Sequence, residues 1–385
     1  MMQSEIRKFF TSNDLKSDEI KEKGRKFGAD YLNNEWKLLM KEEVDVTQIS
    51  GGQSNLLYLV STNSPKFTES TSTPKRFLIR IHCQQSSQIF NDTIIFVTLA
   101  ERGLGPKCYG IFEGGRLEEY LDSITLDEGN VSTEEHAKKI GALYPKYHAI
   151  DMPFPKYPKA FEMIRGWLDD YRKNGGGVFK LKQHSVFYEH GTPTEITADE
   201  IENEIQIFEK WSKIFEDTVI FSHNDLFALN ILKLKSTGEM VFIDFEYASY
   251  NWRGLDLGMH LSEYGFDYRD TTWPGVKINQ NVYENHPTIR LFCESYVETL
   301  KKMKIENPKQ LYPKDEDYGR LVEQLMDECE FFYALGNLHW AVWSMKNSVL
   351  GHDNGIDLDV AASDRLALYF HLKKKSEKIY QKYHQ

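Results

Sequence analysis

Cysteine is scarce in this chain of 385 residues, with four copies at Cys83, Cys108, Cys293 and Cys329. None forms a C-x-x-C pair, which excludes a zinc ribbon or a thioredoxin-like redox centre and leaves buried free thiols as the expectation. No run approaches about 18 uninterrupted apolar residues, so no membrane span is expected. Charges precede any apolar run in Met1 to Phe10, so no signal peptide is expected and a cytoplasmic protein follows. Positive charge is in deficit: 47 Lys and Arg against 58 Asp and Glu give a net charge of −11. A nucleic-acid-binding face needs clustered cations to displace phosphate counterions, so that class of partner is excluded, whereas a small cationic substrate is compatible. The phosphate-cradling motifs G-x-G-x-x-G and G-x-x-x-x-G-K-[ST] are also missing.

What is present is a dense polar constellation. The run His223-Asn224-Asp225-Leu226-Phe227-Ala228-Leu229-Asn230 is followed 14 residues later by Asp244-Phe245-Glu246. An aspartate and an asparagine five positions apart place an alcohol-orienting carboxylate and a neutral amide ligand on one loop, and a second aspartate at a strand end adds a charged metal ligand. The four fixed residues of H-N-D-x-x-x-x-N arise by chance in a chain of this length on the order of once in a thousand sequences. This chemistry is phosphoryl transfer. Asp225 would orient the acceptor hydroxyl and take its proton late, while Asn230 and Asp244 supply the oxygen ligands that a hard cation such as Mg²⁺ prefers. His223 is expected to brace the loop by hydrogen bonds.

The length suggests two lobes. Residues 4–42 carry apolar residues at helical spacing and read as one or two leading helices. Residues 55–60 and 77–81 read as strands, joined by an exposed hairpin loop over 61–75 that is rich in Ser, Thr, Pro and Lys. A helix over 92–101 and strands over 108–112 and 116–121 follow, giving the order β-β-α-β-β. Beyond 122 the spacing is mostly helical, with Thr197-Ala198-Asp199-Glu200 as a capping box, and with short strands over 220–222, 231–234 and 240–243 presenting the site loops. The expected fold is α+β and bilobal: a β-rich nucleotide-holding lobe over 1–118, a hinge at 119–121, and a mainly helical catalytic lobe over 122–385.

Ser50-Gly51-Gly52-Gln53-Ser54-Asn55 lies just before the first of these strands, where its glycines would let backbone N–H groups approach phosphate oxygens; a plain hairpin turn is the alternative. Arg80, in Phe77-Leu78-Ile79-Arg80-Ile81, stands where protein kinases carry a phosphate-pairing lysine, and its guanidinium can do that work. The alternative for Arg80 is an exposed strand arginine.

Ile243 to Ala248, then Tyr250-Asn251-Trp252-Arg253-Gly254-Leu255-Asp256-Leu257-Gly258, His260 and Glu263, resemble the signature of the choline/ethanolamine kinase family. Residues 49–57, 99–120 and 340–344 are similar to it as well, so the resemblance runs from about residue 20 to the end. It implies a protein-kinase-like fold of the aminoglycoside-phosphotransferase type and an ATP- and Mg²⁺-dependent choline kinase on the route to phosphatidylcholine. Asp225 becomes the catalytic base and Asn230 and Asp244 the metal ligands. Ser50, Gly51, Gly52, Gln53, Ser54, Asn55 and Arg80 hold ATP phosphates, with Glu119, Tyr120 and Leu121 at the hinge. Glu263, Tyr268, Trp340 and Trp343 form the amino-alcohol pocket, and His223, Glu246 and Asp256 support the site. A homodimer is also implied. A quaternary ammonium has no N–H to donate and is recognised by aromatic faces and nearby carboxylates. Two tryptophans therefore favour choline over ethanolamine, although a core-facing stripe with Phe332 and Leu335 would also place Trp340 and Trp343 three apart.

The chain departs from the family pattern at Leu229, where glycine is usual, at Phe227 in place of a polar residue, at Met259 in place of asparagine, and over 351–360. Leucine disfavours any positive φ that glycine would permit. Altered rate or specificity is the expected consequence. An aminoglycoside-type phosphotransferase and a binding-only pseudoenzyme are the alternatives.

Overall fold

The computed structural model describes residues 5–12, 14–49, 55–68, 72–82, 86–183, 187–188, 191–268, 273–303, 317–352 and 355–384. The chain divides into two compact units, residues 1–124 with 234–246, and residues 125–233 with 247–385.

The first unit is built on five antiparallel strands: β1 (Val44–Ile49), β2 (Asn55–Thr62), β3 (Arg76–His82), β4 (Cys108–Phe112) and β5 (Gly115–Glu119), in the order β1-β2-β3-β5-β4. Four of these match the expected runs. β1 is an addition, so the order is β-β-β-α-β-β. Its alternation, with Val44 and Val46 buried and Asp45 exposed, is the half-buried strand pattern, in a run between the leading helices and residue 55 to which the sequence reading assigns no element. The helix Ser86–Glu101 follows β3. Helices Glu5–Ser12 and Asp18–Phe27 precede the sheet, and Ser17 caps the second of them by accepting from the Ile20 N–H. β2 and β3 form the expected hairpin. Its loop is not wholly exposed, because Phe67 is buried edge-on against Trp36, which meets Phe77 in turn, and these rings close the core under the sheet.

In the second unit the long helix Tyr318–Val349 packs against Arg253–Glu263, Leu358–Tyr383, Ala160–Lys173 and Ile289–Lys302. Gly254 and Gly258 stand four apart on one face of Arg253–Glu263. A Cβ on Gly254 would lie 2.6 Å from Glu328 Cβ, and one on Gly258 would lie 2.7 Å from the Cys329 carbonyl. Glycine is what lets these two helices touch. The Thr197–Glu200 capping box is present at the start of Ala198–Trp211. Strand Val219–Ser222 pairs antiparallel with Ser249–Trp252, and its end delivers the chain directly to His223. Cys293 and Cys329 are free and buried, Cys108 is free but only half-buried, and Cys83 lies outside the described residues. Among the described residues no helix is long and apolar enough to cross a membrane.

Candidate active site

The loop after Val219–Ser222 is fixed from beneath by one carboxylate. Asp256, buried on Arg253–Glu263, accepts the backbone N–H of His223 on Oδ2 at 2.9 Å and that of Asn224 on Oδ1 at 2.7 Å. His148 adds a third bond, Nε2 donating to Oδ2 at 3.0 Å, while its Nδ1 accepts from Tyr296 Oη at 2.9 Å. Burial alone would raise the Asp256 pKa, but the hydrogen bonds it accepts from His148 and from the His223 backbone outweigh it, and the carboxyl sits below its usual range.

Asn224 takes a left-handed backbone, φ 64°, which asparagine tolerates better than most side chains. Its Nδ2 donates to the Tyr247 carbonyl at 2.9 Å and to Ser249 Oγ at 3.0 Å, and its Oδ1 accepts from Asn251 at 2.8 Å. On the far side of Asp225, His260 Nδ1 donates to the Leu226 carbonyl at 2.7 Å and its Nε2 accepts from Tyr264 at 2.9 Å. Burial pushes this ring down to about 4, so it works as a neutral brace. Asp225, half-buried, is thus presented between two anchored backbone segments.

Asn230 ends the short turn Ala228–Asn230, and its Nδ2 donates to the Asp225 carbonyl at 2.8 Å, leaving Oδ1 as the oxygen it can offer. Leu229 lies in the same turn. It is absent from the positive-φ residues, so the strain expected of leucine does not arise; the side chain is 45% exposed. Phe227, with Ala228, Glu263 and Tyr268, lines a tight recess. Met259 is buried and fills the space that Gly336 leaves, where a Cβ would approach its Cγ to 3.0 Å.

The four expected pocket residues form two groups. Tyr268 donates to Glu263 Oε2 at 2.9 Å, and Arg365 Nη2 reaches both Glu263 Oε1 and Tyr268 Oη at 2.7 Å. Arg365 went unnoticed in the sequence, and its charge compensates the carboxylate. Trp340 and Trp343 are half-buried, with ring centres 5.9 Å apart. Tyr247 joins them: its ring stands edge-on to Trp340 at 5.5 Å, and its Oη accepts from Trp343 Nε1 at 3.0 Å. Trp167 stacks on Trp340 at 6.3 Å. Phe332 and Leu335 are fully buried, so the two tryptophans do not belong to a uniformly buried stripe. Tyr247 directly follows the Asp-Phe-Glu run and lies in the signature stretch 243–248, yet it is not among the pocket residues expected from the sequence.

In the first unit Arg80 and Asp244 line one recess of ≈ 440 Å³, its open mouth included. Asp244 is exposed and also has φ 64°. Arg80 Nε donates to Glu118 Oε1 at 2.5 Å. Glu119 accepts the Lys107 backbone N–H at 3.1 Å, Tyr120 lies under the Arg76 guanidinium at 4.5 Å, and the Leu121 carbonyl accepts from Ser123 at 3.1 Å. Asn55 opens β2 and is buried, and Glu246 is half-buried. Ser50, Gly51, Gly52, Gln53 and Ser54 lie outside the described residues. Among the described residues no cluster of three or more His, Cys, Asp or Glu is placed to hold a metal ion by itself.

The model of the choline/ethanolamine kinase family matches residues 46–370. Choline kinase B2 of Caenorhabditis elegans is 46% identical over 377 residues, 98% of each chain. The human choline/ethanolamine kinase is 30% identical over 355 residues, covering 89% of this chain and 84% of its own. Among solved structures, a choline kinase from Cryptosporidium parvum superposes with a TM-score of 0.70 at 21% identity, covering 94% of this chain and 97% of that one. The expected bilobal kinase-like fold is therefore present, and the chain belongs to the choline/ethanolamine kinase family.

Proposed function

We propose that the protein transfers the γ-phosphoryl group of ATP to the hydroxyl of choline, yielding phosphocholine and ADP. The observation that carries the substrate assignment is the ring cluster of Tyr247, Trp340 and Trp343, taken with the other group, in which the charge of Glu263 is already matched by Arg365. A primary ammonium asks for hydrogen-bond acceptors, yet both oxygens of Glu263 already accept from Arg365 or Tyr268. A quaternary ammonium asks for aromatic faces, each contact contributing about 0.5–2 kcal/mol. Choline is the better fit of the two.

Asp225 orients the acceptor hydroxyl and receives its proton. Arg80, Asn55 and the segment Ser50, Gly51, Gly52, Gln53, Ser54 hold the phosphates, and Glu119, Tyr120 and Leu121 serve as the link beside the nucleotide base. By family resemblance Asn230 and Asp244 are the metal ligands, and Asn230 Oδ1 and the exposed Asp244 carboxylate are each oxygen donors of the kind Mg²⁺ takes, one or two from protein with water and phosphate oxygens completing its shell. When bound, that ion neutralises charge on the transferred group. His223, Asp256 and Glu246 keep the loop and strand end in place. Supply of phosphocholine to phosphatidylcholine synthesis, a cytoplasmic location and a homodimer belong to the same proposal, by family resemblance.

The deciding experiment is Mg²⁺-ATP-dependent ADP formation by the purified protein with choline, with ethanolamine and with no acceptor, using Asp225→Asn as background. Choline-dependent turnover that disappears in the variant is the expected result. Preference for ethanolamine would correct the acceptor, and silence with both despite ATP binding would overturn the reading.

A further inference from the structure

We propose that Glu118, Arg116 and Asp92 form a relay that positions the guanidinium of Arg80, the inference resting on the assignment of Arg80 to the nucleotide phosphates. In the β3–β5 register Arg80 stands directly opposite Arg116. Two like charges facing each other across a ladder repel, and this pair has to be held by something between them. Glu118, two residues along from Arg116 and on the same face, does so with a single atom. Its Oε1 accepts Arg80 Nε at 2.5 Å and Arg116 Nε at 2.7 Å.

The far end of the Arg116 fork, Nη1, donates to Asp92 Oδ2 on the helix Ser86–Glu101, and the guanidinium lies over the Phe96 ring at 4.0 Å. Protein kinases tie the corresponding cation straight to a carboxylate on the equivalent helix. Here the tie runs through two more side chains. Arg116 and Glu118 are 3% and 2% exposed, so the middle of the four-charge network lies out of water, where apolar replacements would commonly cost less; such a network is kept for the geometry it enforces. That geometry ends at Arg80, whose Nε is committed to Glu118 while the side chain lines the recess with Asp244.

The test measures KM for ATP, KM for choline, kcat, binding of a non-hydrolysable ATP analogue and thermal unfolding for Arg80→Ala, Glu118→Gln, Asp92→Asn and the double variant Arg80→Ala/Glu118→Gln. Expected are rises in the ATP KM of about 30-fold for Arg80→Ala, about 10-fold for Glu118→Gln and about 3-fold for Asp92→Asn, with the choline KM within about two-fold. In the Arg80→Ala background Glu118→Gln should add less than about two-fold, because there is no guanidinium left to position. Full multiplication of the two effects, or a choline KM that moves with the ATP KM, would reduce the network to a structural role and overturn the relay. Should Glu118→Gln not fold, Asp92→Asn at the outer end of the network decides, and an unchanged ATP KM there overturns the relay alone. An unchanged ATP KM and analogue affinity in Arg80→Ala would overturn the phosphate assignment and the relay with it.

Discussion

The loop over 223–230 and the strand face around Arg80 hold a functional side chain still by opposite means. The loop is tied through its backbone: Asp256 takes two N–H groups, and the neutral His260 takes hold of a carbonyl. The Arg80 face is tied through charged side chains that share one carboxylate oxygen. A backbone tie fixes the loop without spending the carboxylate proposed to act as the base, whereas a charge tie sets the direction of the cation proposed to meet phosphate. The two designs should fail differently.

The largest effect belongs to the residue that the loop presents. Asp225→Asn is expected to lower kcat by about 10²- to 10⁴-fold with the unfolding temperature nearly unchanged, because the anchors lie in the neighbouring backbone. Turnover and thermal unfolding of the purified variant check this, and normal turnover would sink the catalytic assignment. Moving one step inward reverses the balance. Asp256→Ala removes the acceptor of three buried bonds and should cost about 3–5 kcal/mol of stability together with most of the activity, measured by denaturant titration and turnover. A stable, active Asp256→Ala protein would mean that the loop is not held from beneath.

Acid sharpens the contrast. Burial lowers the pKa of His148, of His260 to about 4 and of His339 to about 3, all in the second unit. The unfolded rings titrate near 6.5, so below that pH the unfolded chain binds protons that the folded one refuses; stability is full above about 6.5 and falls as pH drops. For His260 and His339 the loss should be about 1 kcal/mol per ring between about pH 6.5 and 5.5, read from urea midpoints, with His148 acting in the same direction. Around Arg80, burial would raise the Glu118 pKa, but Arg80 and Arg116 outweigh it and bring it down to about 2, so its contribution persists through this range and is lost progressively only below about pH 4.5, the unfolded value, and down to about 2. His82, lowered to about 4 by burial and Arg116, is the one ring at that edge which shares the acid response. A stability that stays flat from neutral pH to 5.5 would contradict the neutral-histidine bracing.

The loop was legible in the sequence because its chemistry is local. Asp225, Asn230 and their spacing lie within one turn, and Asp244 follows at a strand end, so residue type and position carried the reading. The Arg80 network was not legible: Arg80 and Glu118 are 38 residues apart and Asp92 and Arg116 are 24 apart, and only pairing of β3 with β5 brings them together. Gly115-Arg116-Leu117-Glu118 reads as an alternating strand with its charges turned outward, yet Arg116 and Glu118 are buried. Arg365 was missed for the same reason, since its partner Glu263 is 102 residues away. β1 was legible and overlooked: its Val-x-Val alternation is as clear as that of its neighbours.

The smallest expected effect tests a departure from the family pattern. Leucine at position 229 suggested strain, yet the left-handed positions of this region are Asn224 and Asp244, and Leu229 sits in a right-handed turn with its side chain toward solvent. Restoring glycine therefore relieves nothing in the folded state. It gives the unfolded chain more freedom to lose, so Leu229→Gly should cost up to about 1 kcal/mol of stability, with kcat and both KM values within about two-fold. Denaturant titration alongside steady-state kinetics checks both. A gain of ten-fold in kcat would mean that the loop must pass through a left-handed conformation at residue 229 during turnover, and the backbone-anchored loop would then be a resting arrangement and not the working one.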